Sequence, residues 1–258
     1  MAAKQTYRQK NAAKILAAEG GVYEKKNKEE RKPIDPAIQQ TYLEGKMLLI
    51  DKPLHWTSYD VIKKLRWLLQ IKKIGHAGTL DPLATGLLIV CTGKFTKKIN
   101  EYMAQEKEYT GHITLGATTP TYDRESEPVN FKDYAAVTKE QVDNAAATFV
   151  GEIEQLPPIY SAIKKDGVAL YELARRGEEV ELKPRKVTIK SFEITNIELP
   201  VLEFKVTCST GTYIRSLAHD IGQALGCGAY LSSLRRTKIG DYHVDDAAEM
   251  QKLLASFD

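Results

Sequence analysis

In HAGTLDPLATG, residues 76–86, a single carboxylate, Asp81, stands among glycines, threonines and prolines between two apolar segments. Pro82 follows it and biases Asp81 away from helical angles, into an extended loop. Gly75, Gly78 and Gly86 permit tight bends and close approach of a ligand or another backbone. The loop lacks the GK[ST] ending of a phosphate cradle. Two readings stand at this point: an aspartate bracing a turn through local N–H groups, or a carboxylate that carries chemistry.

A second stretch, CSTGTYIRSLAHDIG at 208–222, holds Tyr213 and Arg215 two residues apart. If the strand pattern from Val201 continues through it, both project to one face. An aromatic ring beside a guanidinium suits a planar base and a carboxylate together. A packing tyrosine and a solvated arginine fit the same residues. A third stretch, LPPIYSAIKKDGVALYELARRG at 156–177, joins a proline-stiffened turn, paired lysines and a basic-ended helix. It suits the clamping of a polyanion or an ordinary surface excursion. The loop TTPTYDRE, 118–125, is polar and points to no chemistry by itself.

The elements that must position these residues follow from periodicity and punctuation. Met47–Ile50 reads as a short strand stopped by Pro53. Thr57 or Ser58 caps a helix in which Val61, Leu65 and Leu68 recur at helical spacing. LLIVC, 87–91, reads as a strand buried on both faces. YTGHITLG predicts a further strand, and Thr138 with Gln141 a capping box opening a helix. RKVTIKSFEIT and VLEFKVTCS are strand patterns around Pro200, and helices follow at SLAHDIGQALG and VDDAAEMQKLL. Strands and helices mix without a strict βαβ repeat, which predicts an α+β fold with a large mixed or antiparallel sheet.

Composition narrows the class. The chain has 258 residues, 43% hydrophobic and 28% charged, enough for a substantial core. No apolar run reaches about 18 residues, so no spanning helix and no membrane partner are expected. Cys91, Cys208 and Cys227 lie far apart, with no zinc spacing, and read as reduced thiols of a cytoplasmic protein. Residues 1–32 hold nine basic and four acidic groups, against 28 and 30 in the remainder. Residues 1–40 therefore read as a basic extension, with the compact domain spanning 41–258. Local basic clusters at Lys63–Lys73, Lys94–Lys98 and Arg235–Lys238 are either solvated faces or polyanion contacts.

GHAGTLDPLATGLL closely resembles the catalytic-loop motif of the TruB family of tRNA pseudouridine synthases. LLIDKPLHWTS resembles the family's opening motif, KEY at 107–109 its tyrosine motif, and YSAIKKDGVALYELARRG its thumb-like RNA-binding insertion, placed at 157–183. GTYIRSLAHDIG and LGCGAYLSSLRRT resemble its last core motifs, and all stand in family order over about residues 46–247. The resemblance implies a pseudouridine synthase fold: α+β, with a large mixed, mainly antiparallel sheet flanked by helices.

It further implies that Asp81 is the catalytic aspartate acting at C1′ of a flipped uridine. Tyr109 would stack on the target base and assist proton removal at C5, and Arg215 would pair with the Asp81 carboxylate. His76 would help hold the flipped conformation. Tyr213 and Leu234 would line the uracil pocket, and Lys52 would support the loop or backbone phosphates. The reaction is an isomerisation, so no cofactor and no metal are expected. The implied substrate is uridine 55 in the T-arm stem-loop of tRNA, bound by a monomer without guide RNA. Three departures stand out: His55 where the family usually has Gly, Ser126 at another usual Gly, and an end at Asp258 without a C-terminal PUA domain. An alternative from a different class is a non-catalytic RNA-binding or tRNA-folding chaperone on the same fold. A nucleoside hydrolase would want two acting carboxylates, and the sequence offers no second one in a comparable setting.

Overall fold

The computed structural model describes residues 33–161, 164, 165, 167–176, 180 and 182–255. The stretch 1–32 and parts of the 157–183 segment lie outside these residues. Helix α1 (Pro36–Glu44) leads into strand β1 (Met47–Lys52), helix α2 (Ser58–Leu69), β2 (Ile74–Ala77) and β3 (Ala84–Thr92). A 3-10 turn and helix α3 (Ile99–Ala104) precede β4 (Lys107–Leu115), and helix α4 (Lys139–Ala147) precedes β5 (Gly151–Gln155). A small hairpin of β6 (Lys164–Lys165) and β7 (Val168–Ala169) leads to helix α5 (Leu170–Arg175). Then come β8 (Arg185–Glu198), β9 (Val201–Cys208), helix α6 (Ile214–Ala224) and β10 (Ala229–Ile239). Strands β11 (Tyr242–His243) and β12 (Ala248–Glu249) and helix α7 (Met250–Ala255) close the described chain.

One ten-stranded sheet dominates, in the order β12-β1-β3-β10-β4-β9-β8-β5, with β2 added to β3 and β11 to β10. Only the β1–β12 and β3–β10 neighbours run parallel. The sheet is thus mixed and mainly antiparallel, as the resemblance implied. Its centre is set by β3, where Leu87 to Cys91 are all fully buried, as a continuous apolar run requires. Helix α2 opens with the reciprocal Thr57–Asp60 capping box and buries Val61, Ile62, Leu65 and Leu69 against β1 and β3. Leu69, not Leu68, completes that stripe, because the buried positions run at i, i+4, i+8. Helices α4 and α6 cover another face, where Val142, Leu217 and Ile221 pack against Ile113, Leu202 and Phe204.

One boundary and one strand differ from the sequence reading. Ile34 and Tyr42 already pack against the core, and the α1 backbone sits where a Cβ on Gly93 would meet Leu43 O at 2.1 Å. Packing therefore begins upstream of residue 41. The second difference is β10, a central strand of eleven residues that periodicity misses. Register shifts between Leu231 and Ser233 and between Arg236 and Lys238 break its alternation.

Candidate active site

The loop between β2 and β3 carries Asp81, and three anchors fix it from beneath. Leu80 N–H donates to Ser58 Oγ at 2.8 Å, and Ser58 Oγ donates to the Leu80 carbonyl at 3.1 Å. His55 N–H donates to the Pro82 carbonyl at 2.9 Å. Arg236 Nη2 donates to the Gly78 carbonyl at 3.0 Å. With Ala84 N–H closing a turn on the Asp81 carbonyl at 3.1 Å, these local backbone groups are taken up by the protein. The Asp81 carboxylate faces Arg215 and stays 42% exposed at a cleft.

The glycines serve the backbone rather than a ligand. A Cβ on Gly86 would stand 2.3 Å from Arg236 O, so β3 and β10 touch there only because no side chain intervenes. His55 explains the departure at the opening motif. Its φ is +66°, a left-handed position that suits Gly and that His adopts at about 1–2 kcal/mol.

Arg215 arrives from a helix. Strand β9 ends at Cys208, and Gly211 at φ +86° turns the chain. Tyr213 becomes the residue before α6, its N–H donating to Gln155 Oε1 at 2.8 Å and its carbonyl accepting from Gln155 Nε2 at 3.0 Å. Tyr213 and Arg215 are therefore not neighbours on one strand face, because Gln155 replaces the ladder partners a continuing strand would need. Arg215 is 7% exposed and donates through Nη1 to Thr121 O at 3.1 Å and through Nη2 to Tyr160 O at 3.0 Å. Its Nε lies 2.9 Å from Asp81 Oδ2 and 3.6 Å from Asp123 Oδ2. The Nε–H points squarely at neither, so these are ion pairs without an aligned hydrogen bond. Burial works against the charge on Arg215, and Asp81 and Asp123 more than offset it, leaving its pKa raised.

Asp123 is the residue that sequence reasoning missed, and it is the second carboxylate whose absence counted against a two-carboxylate site. It is 4% exposed and comes from the polar loop 118–125. Thr121 Oγ1 donates to its Oδ1 at 2.6 Å and Glu125 N–H at 2.9 Å. Burial raises its pKa, countered by Arg215 and these donors, while Asp81 adds to the rise. The flanking hydroxyls were the available signal: Thr121 donates to the Asp123 carboxylate and Thr119 to the Asp123 carbonyl at 2.8 Å, both from within the loop.

Asp81, Ala84, Asp123, Arg215, Leu231 and Leu234 share the cleft, whose volume of about 20 Å³ suits a water rather than a nucleobase. Tyr109, His76, Tyr213 and Lys52 stand outside its walls. Tyr109 is 8% exposed on β4, in the same apolar cluster as Leu80 and Ala84. Burial pushes its phenol up, and the neighbouring Arg236 guanidinium opposes this. His76 lies on β2, where burial and then Arg236 depress its pKa, so the imidazole is neutral near pH 7. Lys52 is fully buried and donates to the Pro53 and Trp56 carbonyls at 2.9 and 2.6 Å. It supports the opening loop and is out of reach of phosphates. Burial lowers it to about 8. The basic cluster at 235–238 also dissolves: Arg236 is 1% exposed, and Arg235 pairs with Asp51 at 2.7 Å.

With this geometry in place, comparison with known proteins is informative. The description "TruB family pseudouridylate synthase (N terminal domain)" matches residues 66–214, and "tRNA pseudouridylate synthase B C-terminal domain" matches residues 215–258. The protein named tRNA pseudouridine synthase B of Flavobacterium johnsoniae is 56% identical over 218 residues, 82% of this chain and 95% of its own length. The protein of the same name from Parabacteroides distasonis is 50% identical over 210 residues, covering 79% and 89%. Among solved structures, one described as "Crystal Structure of a Cbf5-Nop10-Gar1 Complex" superposes with a TM-score of 0.65 at 28% identity. That match covers 88% of this chain but only 61% of the longer chain in the complex.

Proposed function

This chain belongs to the TruB family of pseudouridylate synthases, and from that premise we propose that it isomerises uridine 55 in the T-arm of tRNA. The relatives named tRNA pseudouridine synthase B support tRNA as the substrate. The target uridine leaves its stack and enters the cleft, whose walls give way to admit it. Asp81 acts at C1′ as the C1′–N1 bond breaks, the uracil turns, and C5 bonds to C1′. The proton on C5 is lost and N1 gains one, so atoms and electrons balance without a co-reactant.

One observation carries the assignment of roles: the half-exposed Asp81 carboxylate 2.9 Å from the buried Arg215 Nε, at the mouth of a cleft lined by Leu234. Arg215 holds Asp81 oriented, and apo alignment tightens when substrate fills the site. Tyr109 and Tyr213 meet the base, and His76 steadies the flipped nucleotide. RNA contacts come from the 157–183 segment and the basic residues of 1–40. The three thiols, all free and buried, fit a cytoplasmic protein; the same reading has it act as a monomer without guide RNA.

Tritium release from T-arm RNA carrying [5-³H]uridine tests this reading. The wild type releases tritium, and Asp81→Asn releases none while binding the RNA with unchanged affinity. Binding without release by the wild type would overturn the enzymatic reading of this substrate and favour the RNA-folding chaperone.

A further inference from the structure

The loop that holds Asp123 is itself held, and the holder is a ring stack. Tyr122 lies between the two loop residues that meet Arg215: Thr121, whose carbonyl accepts from Nη1, and Asp123, whose carboxylate faces Nε. Its φ is +62°, a left-handed conformation that costs a residue with a bulky side chain about 1–2 kcal/mol. Within the loop, its N–H reaches only the Thr119 carbonyl, while its own carbonyl accepts from Leu231 N–H on β10. The phenol ring leaves the loop and stacks on the His219 imidazole, with centroids 4.0 Å apart and planes 16° from parallel. His219 stands four residues after Arg215 on α6, on the same helical face. Burial keeps His219 below its usual pKa, so a neutral imidazole meets the ring. Its Nδ1 is buried with no hydrogen-bond partner. The contact is therefore one of stacked rings, not of a hydrogen-bonded histidine.

We propose that the Tyr122–His219 stack is a positioning device for the reaction: it fastens the Asp123 loop to the helix carrying Arg215, and so fixes the guanidinium that Asp81 faces. Neither ring touches the reacting atoms. The proposal rests on the functional reading above, but its physical core concerns Arg215 alone. Without the stack the loop loses its side-chain tie to α6 and gains freedom, whether residue 122 keeps a strained left-handed backbone or is replaced by Gly. The Thr121 carbonyl and the Asp123 carboxylate then drift together from Arg215. Ångström-scale misplacement of such groups costs up to about 100-fold in rate, and partial release here lowers it about 10-fold.

Two variants separate positioning from stability. Tyr122→Gly removes the ring while relieving the left-handed backbone, so the fold is not strained by the change. His219→Ala removes the other ring and leaves Tyr122 in place. Both are compared with Tyr122→Phe, which keeps the stack, and with the Tyr122→Gly/His219→Ala pair. Single-turnover tritium release and RNA affinity are measured together with solvent exchange of the Arg215 Nε–H. That proton is identified in ¹H–¹⁵N spectra by its loss in Arg215→Lys. The expected result is a rate about 10-fold lower in each single variant, no lower in the pair, with affinity unchanged and Nε–H exchange accelerated. Tyr122→Phe restores both rate and protection. Wild-type rate and exchange in Tyr122→Gly and His219→Ala would overturn the proposal, as would equal impairment in Tyr122→Phe. Should the wild type release no tritium while exchange still follows the stack, the functional reading falls and the positioning role is supported.

Discussion

Two carboxylates meet one guanidinium in this site, and their surroundings assign them different work. Asp81 is 42% exposed, whereas the Asp123 side chain is 6% exposed and held by Thr121 and Glu125. The exposed group suits chemistry at a substrate atom, and the buried one suits keeping Arg215 charged and in place. Asp123→Asn retains the shape and leaves the buried guanidinium with one carboxylate. The expected cost is about 1–3 kcal/mol of stability, since a buried charged partner is lost. The single-turnover rate is expected to fall about 10- to 100-fold with RNA affinity intact. Thermal melts and tritium release on one preparation check this, and a lowered melting temperature with an unchanged rate would make Asp123 structural only. At this scale the sequence marked the Asp81 loop through Pro82 and the glycines, while that stretch alone left a turn brace and a chemical role both standing. Asp123 was not legible, because TYDRES reads as solvated until α6 is folded against it. Arg236 misled in the opposite direction. A basic pair at 235–236 looks superficial, yet the pleat turns Arg235 to Asp51 and buries Arg236 under the Asp81 loop.

Elements were legible in proportion to how local their causes are. The α2 cap, the α4 capping box and the β3 apolar run need only neighbouring residues: Thr57, of the two candidates, caps α2, and the other two form as read. Strand β10 and the β9–α6 turn depend on distant partners: bulges set by β4 in one case, and the Gln155 side chain in the other. Helix α6 deserves its own prediction, because it carries Arg215, His219 and Asp220 in one turn and a half. Burial raises Asp220 to about 6, above the ordinary aspartate value near 3.8. The folded state thus binds this proton more tightly than the unfolded state, and stability falls as pH rises between those values. Above pH 6 the penalty is fully present, and below about 3.8 it is absent. Asp220→Asn is therefore expected to raise the melting temperature at pH 8 by about 2–4 °C, the equivalent of roughly 1 kcal/mol after discounting for its partial exposure. At pH 4 the same substitution should change little. An equal gain at both pH values would mean that the carboxylate's charge is not the cause.

Charge over the whole molecule is arranged against expectation for a polyanion binder. Beyond residue 32 the chain holds 28 basic and 30 acidic groups. Lys52, Lys107, Arg215 and Arg236 are buried, whereas Asp123 is the one buried carboxylate among the described residues. The outer surface of this part is accordingly more acidic than its composition states. Long-range attraction of RNA then falls to residues 1–32, with nine basic and four acidic groups. Because Ile34 and Tyr42 pack against the core, the informative truncation ends at residue 32 and spares the packed chain. Each phosphate contact adds about 0.7–0.9 to the slope of log affinity against log salt. Removal of residues 1–32 is expected to lower that slope by about 2 and to weaken binding most at low salt. The single-turnover rate at saturating RNA should hold, since the truncation removes none of Asp81, Asp123 and Arg215. Affinity titrations of T-arm RNA at several salt concentrations decide the matter. An unchanged slope would move the electrostatic contact to the local clusters around Lys63–Lys73 and Lys94–Lys98. A fall in the saturated rate would instead give the extension a part in holding the flipped base.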